Sequence, residues 1–265
     1  MKQLPVYLIL LQSCLVHAGQ YSVSRVTAGH VYDEDGKEKD ACAMHGEMMF
    51  TLTDGGRISA DPRTMRLHAD NGSSVLSLEP EVLSLFSHDP QVLGKTPATQ
   101  VDLTDRKAIN WNIGDQKGES TSWTRVESQL LEECRSKKLD LAAIIPATWL
   151  LSRIPFVLHV DERLKVGDDV DIPFRKPFDP NHVSTTDRTG RLTCISKNDG
   201  VAILASSRTI EKEAMSITWH VRVEYDMKKQ RLVRVVEENF IKLRPPMGRE
   251  THTTYDALQC QLQES

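Results

Sequence analysis

Nine consecutive residues constrain the fold more than any other stretch. Ile217, Trp219, Val221, Val223 and Tyr225 alternate without a break with Thr218, His220, Arg222 and Glu224. That period of two gives a β-strand one buried and one solvated face. The chain then turns through the polar Asp226-Met227-Lys228-Lys229-Gln230 and returns along the largely β-branched run 232–236, which is the pattern of a hairpin. Ahead of the strand, Asn198-Asp199-Gly200 separates the apolar runs 192–195 and 201–210, and Asp-Gly between two such runs marks a tight two-residue turn. Four antiparallel strands in a meander are therefore predicted over 191–241.

Shorter turn signals extend the β reading toward the N-terminus. Asp33-Glu34-Asp35-Gly36-Lys37 follows Val31-Tyr32, Asp54-Gly55-Gly56 lies between Met49-Phe50-Thr51-Leu52 and Arg57-Ile58, and Asp70-Asn71-Gly72 precedes another apolar run; each reads as a hairpin connection. Pro80, Pro90 and Pro97 break up any long element over 82–104. Strands are expected again from Phe156 through Leu158, Leu164 and Val166, with Gly167-Asp168 turning the chain into Val170 and Ile172.

One helical segment is predicted over 123–153. Thr124 and Glu127 have the spacing of a capping box, Val126, Leu130 and Cys134 share a face, and Pro146 suits the first turn of a second short helix. The expected fold is mainly β: a large antiparallel meander sheet with one helical segment packed on it. The β-rich domain spans 19–250, and 251–265 reads as a polar C-terminal tail. One twisted sheet is preferred over two β lobes joined near 85–105.

Residues 1–18 read as a secretory signal peptide. Lys2 gives a positive start, the following run to Val16 is mostly apolar, and Val16-His17-Ala18 fits a cleavage site before Gly19. That run is interrupted by Gln12 and Ser13 and falls short of the roughly 20 apolar residues of a membrane span, so no transmembrane segment is expected. A secreted or periplasmic location follows, with lipidation at Cys14 as the lesser alternative. Loss of Cys14 with the signal leaves Cys42, Cys134, Cys194 and Cys260, an even set of disulfide candidates for an oxidising compartment whose pairing the sequence does not choose.

Composition narrows the function classes. With 33 basic and 37 acidic residues spread along the chain and a net charge of −4, no basic block advertises nucleic acid. Three chemical groupings stand out. Cys42, Met44, His45 and Met48 form a soft ligand set suited to copper(I), although the same stretch reads as a buried strand. Asp161, Glu162, Asp168, Asp169 and Asp171 could offer oxygens to calcium, although the spacing of a calcium loop is not met. His159 and Asp161 share one face of the predicted strand, the best nucleus for an exported hydrolase or metal-dependent enzyme, but no nucleophile elbow or metalloprotease helix accompanies them.

The favoured reading is an exported, non-enzymatic β-rich protein that binds an apolar ligand or a protein partner of the cell envelope and needs no cofactor. Its binding residues would be Trp149, Leu150, Trp219 and Tyr225, where an apolar helical stretch meets the aromatic face of the central strand.

Overall fold

The computed structural model describes residues 19–53, 57–60, 64, 66–70, 99–103, 108–113, 116–121, 150–151, 154, 158–174, 190–244 and 250–263. Thirteen strands form one antiparallel sheet: β1 (Gly19–Tyr32), β2 (Glu38–Thr53), β3 (Arg57–Ala60), β4 (Arg66–Asp70), β5 (Thr99–Asp102), β6 (Ile109–Ile113), β7 (Gln116–Ser120), β8 (Asp169–Asp171), β9 (Arg191–Asn198), β10 (Val201–Lys212), β11 (Met215–Asp226), β12 (Arg231–Leu243) and β13 (Thr251–Gln263). Their order is β7-β6-β5-β3-β2-β1-β13-β12-β11-β10-β9-β8, with β4 also paired to β2. Single-sheet architecture thus replaces the two-lobe alternative, and part of the expected joint at 85–105 is itself strand β5, paired with β3.

The first and last of the described strands are neighbours in the middle of this sheet. β1 lies between β2 and β13 and is antiparallel to both. One wing grows outward from β1 to β7, and the other grows inward from β8 to β13. Residues 251–263, expected as a polar tail, form the central strand that joins the wings. Leu258, Cys260 and Leu262 point into the core while Gln259, Gln261 and Gln263 point out.

The predicted meander is present as β9 to β12, with the predicted turns. Asp199 and Gly200 both have positive φ, 50° and 85°, the conformation that a two-residue hairpin of this twist demands. The Asp226 carboxylate accepts from the backbone N–H groups of Lys228 (3.0 Å) and Lys229 (2.9 Å), and Asp33 caps the β1–β2 turn in the same way. Two register shifts adjust the alternation. One falls between Glu224 and Tyr225 of β11, so that Leu232 and Val235, three positions apart on β12, both reach the core. The other leaves Ile195 of β9 without a register partner on β10 and 50% exposed.

The apolar face of the sheet is covered by a segment that differs from its expectation. Residues 158–168 contain no strand; the backbone is folded into successive turns whose hydrogen bonds run locally and to β9. Leu164 N donates to Asp161 O (3.0 Å), Gly167 N to Cys194 O (2.8 Å), and Cys194 N to Asp168 O (2.9 Å). Gly167, at φ 96°, permits the last of these bends. Leu158, Val160, Leu164, Val170 and Ile172 then pack with Leu192, Leu204, Val223, Tyr225 and Val235 in one core. Gln230 clamps the segment to the β11–β12 turn by donating to Val160 O (3.1 Å). The helical segment predicted at 123–153 lies outside the described residues except for Leu150 and Leu151, which are helical in conformation and fully buried in the same core.

On the far wing, Trp111 of β6 lies across Gly118 of β7, its register partner, at a position where any Cβ would overlap the indole. The glycine is required there by close approach. Among the described residues the strand order ends in two short strands carrying charge, Gln116–Ser120 and Asp169–Asp171, a design that discourages pairing with another chain.

The central position of β13 makes a test. A chain ending at residue 250 would lose the strand that bonds both β1 and β12, and is expected to show no cooperative thermal transition by far-UV circular dichroism. A sigmoidal melt like that of the full chain would contradict the topology.

Candidate functional site

Halfway along the inner face the side chains change from apolar to polar. Two adjacent rows cross the centre of the sheet. In register, Thr27 of β1 meets Asp256 of β13, Asp256 meets Asn239 of β12, and Asn239 meets Trp219 of β11. One step along the strands, Arg25 meets Leu258, which meets Glu237. Period-two alternation sends all of these to the same side, and Arg25, Asp256, Glu237 and Asn239 are 6%, 5%, 1% and 1% exposed.

Arg25 and Asp256 form a bidentate pair. The guanidinium donates from Nε to Oδ1 (2.9 Å) and from Nη2 to Oδ2 (3.0 Å), and Thr27 Oγ1 donates to Oδ1 (3.2 Å). Such a fork of two parallel bonds is the geometry that best offsets the cost of burying both charges. Asn239 Nδ2 donates to Glu237 Oε1 at 3.5 Å. Asn239 Oδ1 is a buried acceptor with no hydrogen-bond partner among the described residues.

The residues expected to bind ligand are placed as follows. Leu150, Trp219 and Tyr225 are buried on the inner face, and Trp149 lies outside the described residues. Leu150 and Tyr225 are packed in the core beneath the polar rows, with Tyr225 Oη donating to Gln230 Oε1 (3.2 Å). Only Trp219 stands in the polar row itself. Arg25, Glu237, Asn239 and Asp256 were not foreseen. Arg25 and Asp256 are 231 residues apart in sequence, so only the β1–β13 pairing reveals them as partners.

The soft-metal set is divided by its strand. Met48 is 2% exposed in the core, whereas His45 lies on the opposite face, where its Nε2 is 3.3 Å from Ser24 Oγ and 3.4 Å from Glu47 Oε1. The side chains of Cys42 and Met44 lie outside the described residues. The acidic set is engaged otherwise than as a calcium loop: Asp161 Oδ1 accepts from Arg163 N (2.7 Å), Asp168 Oδ2 from Lys165 N (2.8 Å), Asp169 from Thr193 Oγ1 (2.8 Å), and Asp171 pairs with Arg191 (2.9 Å). Among the described residues no three His, Cys, Asp or Glu side chains already converge as a metal centre.

No Ser-His-acid relay is assembled among the described residues. His159 is exposed, and the Asp161 carboxylate caps its own turn. Ser24 and Glu47 both approach the same ring nitrogen of His45, whereas a relay needs the acid on the other nitrogen.

Cys194 and Cys260 are free thiols, a correction to the disulfide expected of them; Cys134 lies outside the described residues. Four strand spacings separate β9 from β13 along the sheet, about 19 Å at the usual 4.8 Å per strand, well beyond the roughly 7 Å Cα separation that a disulfide tolerates. Burial raises the pKa of both thiols and of the Tyr21 phenol, whose hydroxyl donates to Leu232 O (2.9 Å).

The sidedness of the sheet bears on its surroundings. The outer face presents His220 and Arg222 on β11, Glu238 on β12, and Gln259, Gln261 and Gln263 on β13, while the inner face is apolar apart from the two polar rows. A membrane-spanning barrel needs the reverse, an apolar outer band around a polar interior. No helix of the described residues is long and apolar enough to cross a membrane.

Two outcomes follow from these environments. Arg25→Met would leave the Asp256 carboxylate buried without its cation and is expected to cost about 3–5 kcal/mol in urea unfolding, with Arg25→Met/Asp256→Leu recovering most of the loss; equal destabilisation by the single and double variants would contradict the pairing. In the folded chain Cys260 and Tyr21 hold their protons above the ordinary values of 9.0 and 10.0. The folded state then binds more protons than the unfolded one, so stability is complete below about pH 9 and falls as pH rises beyond it. Unfolding free energies measured from pH 7 to 11 check the direction, and Cys260 should resist alkylation until the chain unfolds.

No family model and no curated protein matches the chain. Among solved structures it is similar to the translocator domain of the autotransporter NalP from Neisseria meningitidis, at 7% identity over 92% of this chain and 88% of that one. The TM-score is 0.18, too low for the likeness to carry an argument about fold or function.

Proposed function

We propose that the protein is an exported binding protein without catalytic activity, which holds an apolar ligand bearing a hydrogen-bond donor against the inner face of its sheet. The supporting observation is the Asn239 carboxamide: Oδ1 is buried, lacks a hydrogen-bond partner among the described residues, and belongs to a row that includes Trp219. A buried acceptor left unsatisfied costs about 1–3 kcal/mol, which a hydroxyl or amine of a ligand would recover. A few fixed polar groups amid apolar walls is the usual composition of a small-molecule site. The Arg25–Asp256 fork holds the neighbouring row rigid, so the acceptor is positioned before the ligand arrives. The secretory signal expected at 1–18 from the sequence supports an activity in the envelope or outside the cell.

The test is native mass spectrometry, without reductant, on protein recovered from the exported compartment. The expected result is a chain beginning at Gly19 with an added mass that is lost on denaturation and that partitions into organic solvent. Asn239→Leu and Trp219→Ala should each lower the bound fraction while leaving the far-UV spectrum unchanged. A bare polypeptide that also takes up no apolar ligand from a membrane extract would sink the proposal.

A further inference from the structure

The outer face of the sheet carries a groove at the place where β2 changes partners. Residues 43–47 of β2 pair with β4 and residues 50–53 with β3, so Met48 and Met49 fall between the two registers. Thr64 bridges this gap: its hydroxyl accepts from Met49 N (2.9 Å) and donates to Met49 O (3.4 Å). A side chain thus satisfies backbone groups that a strand neighbour would otherwise bond. Beside it opens a groove of about 600 Å³ whose polar lining comes from Ser22, Ser24, Glu47, Thr64 and Gln259, with Met49 among them. That volume lies within the range of small-molecule sites.

Register decides what the groove offers. Ser24 of β1 is opposite Glu47 of β2 on one side and Gln259 of β13 on the other, so a carboxylate, a hydroxyl and a carboxamide stand in one row at intervals of about 4.8 Å. Ser22 is opposite Met49 in the next row on the same face. His45 bounds one end, its Nε2 3.3 Å from Ser24 Oγ and 3.4 Å from Glu47 Oε1. The described lining holds neither lysine nor arginine, so nothing in it draws an anion. We propose that this groove binds a neutral saccharide: ring hydroxyls donate to the Glu47 carboxylate and exchange hydrogen bonds with Ser24 and the Gln259 carboxamide, while the C–H face of the ring rests on Met49. A sugar hydroxyl both donates and accepts, which matches a row where a pure acceptor stands beside groups of both kinds. Bonds to the ionised acceptor are the stronger ones, so Glu47 is the anchor and its neighbours select among sugars. The Glu47 side chain is 52% exposed; the saccharide enters directly from solvent, and weak binding is expected of so open a groove. The site faces away from Asn239 and does not depend on the apolar ligand.

Saturation-transfer difference NMR of the mature chain with maltose, cellobiose and lactose, followed by calorimetric titration of whichever binds, tests the proposal. Transfer to the ring protons of at least one disaccharide is expected. Glu47→Gln keeps the shape of the side chain and should weaken that binding about tenfold, the scale of one hydrogen bond to a charged group. Gln259→Ala should weaken it by a smaller factor. Glu238→Gln, which alters a carboxylate of the same face bonded to Tyr255 Oη, should leave affinity unchanged. Far-UV melts of parent and variants separate loss of binding from loss of fold, and Ser24→Ala replaces any variant that melts early. n-Butylamine serves as a cationic probe of the same carboxylate. Absence of transfer to all three disaccharides, affinity undiminished by both groove substitutions, or capture of n-butylamine in place of the sugars would overturn the proposal.

Discussion

Pairing of β1 with β13 is the constraint on which the rest of this structure depends. It runs in unbroken register from Gln20 opposite Gln263 to Tyr32 opposite Thr251, and it is the place in the strand order where neighbours are far apart in sequence. All the other described pairs are formed between strands close in chain order. Each wing could therefore zip up by local hairpin closure, but the continuous inner face exists only after β1 and β13 meet. Closing so long a loop costs entropy before its contacts repay it. The payment comes from Val23, Leu258, Cys260, Leu262 and Val235, which become contiguous when β13 is inserted between β1 and β12. Full burial of an aliphatic side chain of this size contributes about 1.5–3 kcal/mol.

The same pairing creates the polar rows. Arg25 alone on β1 would be a charge aimed at the core, and Asp256 alone on β13 would be another. Only their juxtaposition makes either tolerable, because a buried ion pair offsets its desolvation only through close, forked geometry. An apolar pair in these positions would serve stability at least as well, so the ionic pair is better explained by register: a slip of β13 by one residue would send Asp256 to the outer face, leave Arg25 buried without its partner, and turn Gln259 and Gln261 into the core.

The legible part of the fold was the part with long alternation or explicit turn chemistry. The strand over 217–225 reads directly from its nine residues, and Asn198-Asp199-Gly200 and Asp33 to Lys37 announce their turns because only a few residue types satisfy those backbone angles. β13 was equally periodic over Leu258, Cys260 and Leu262, but the alternating glutamines lowered its mean hydropathy and gave it the look of a tail. β6, with Ile109 and Trp111, is too short for periodicity to rise above chance. Leu158, Val160 and Leu164 alternate as a strand would, yet fold as turns, since Asp161 and Asp168 satisfy the backbone N–H groups that a neighbouring strand would otherwise bond. Trp219 could be named for the inner site from its own strand. Arg25, Glu237, Asn239 and Asp256 could not, for a polar residue on a strand reads as solvated until the identity of its cross-strand neighbours is known.

Sidedness then links the fold to its chemistry. A sheet that is apolar within and polar without has two separate solvents for its side chains, and it uses each differently. Inside, where the dielectric is low, polar groups are few: Arg25 and Asp256 are held in a bidentate fork, and the buried Asn239 Oδ1 would gain more from a single hydrogen-bond donor than it would in water. Outside, histidines and carboxylates are abundant and individually weak, since exposed pairs such as His45 with Glu47 contribute little to stability. Their value there is availability. Side chains that water has left free to turn are uncommitted, whereas those of the inner face are already held by their neighbours.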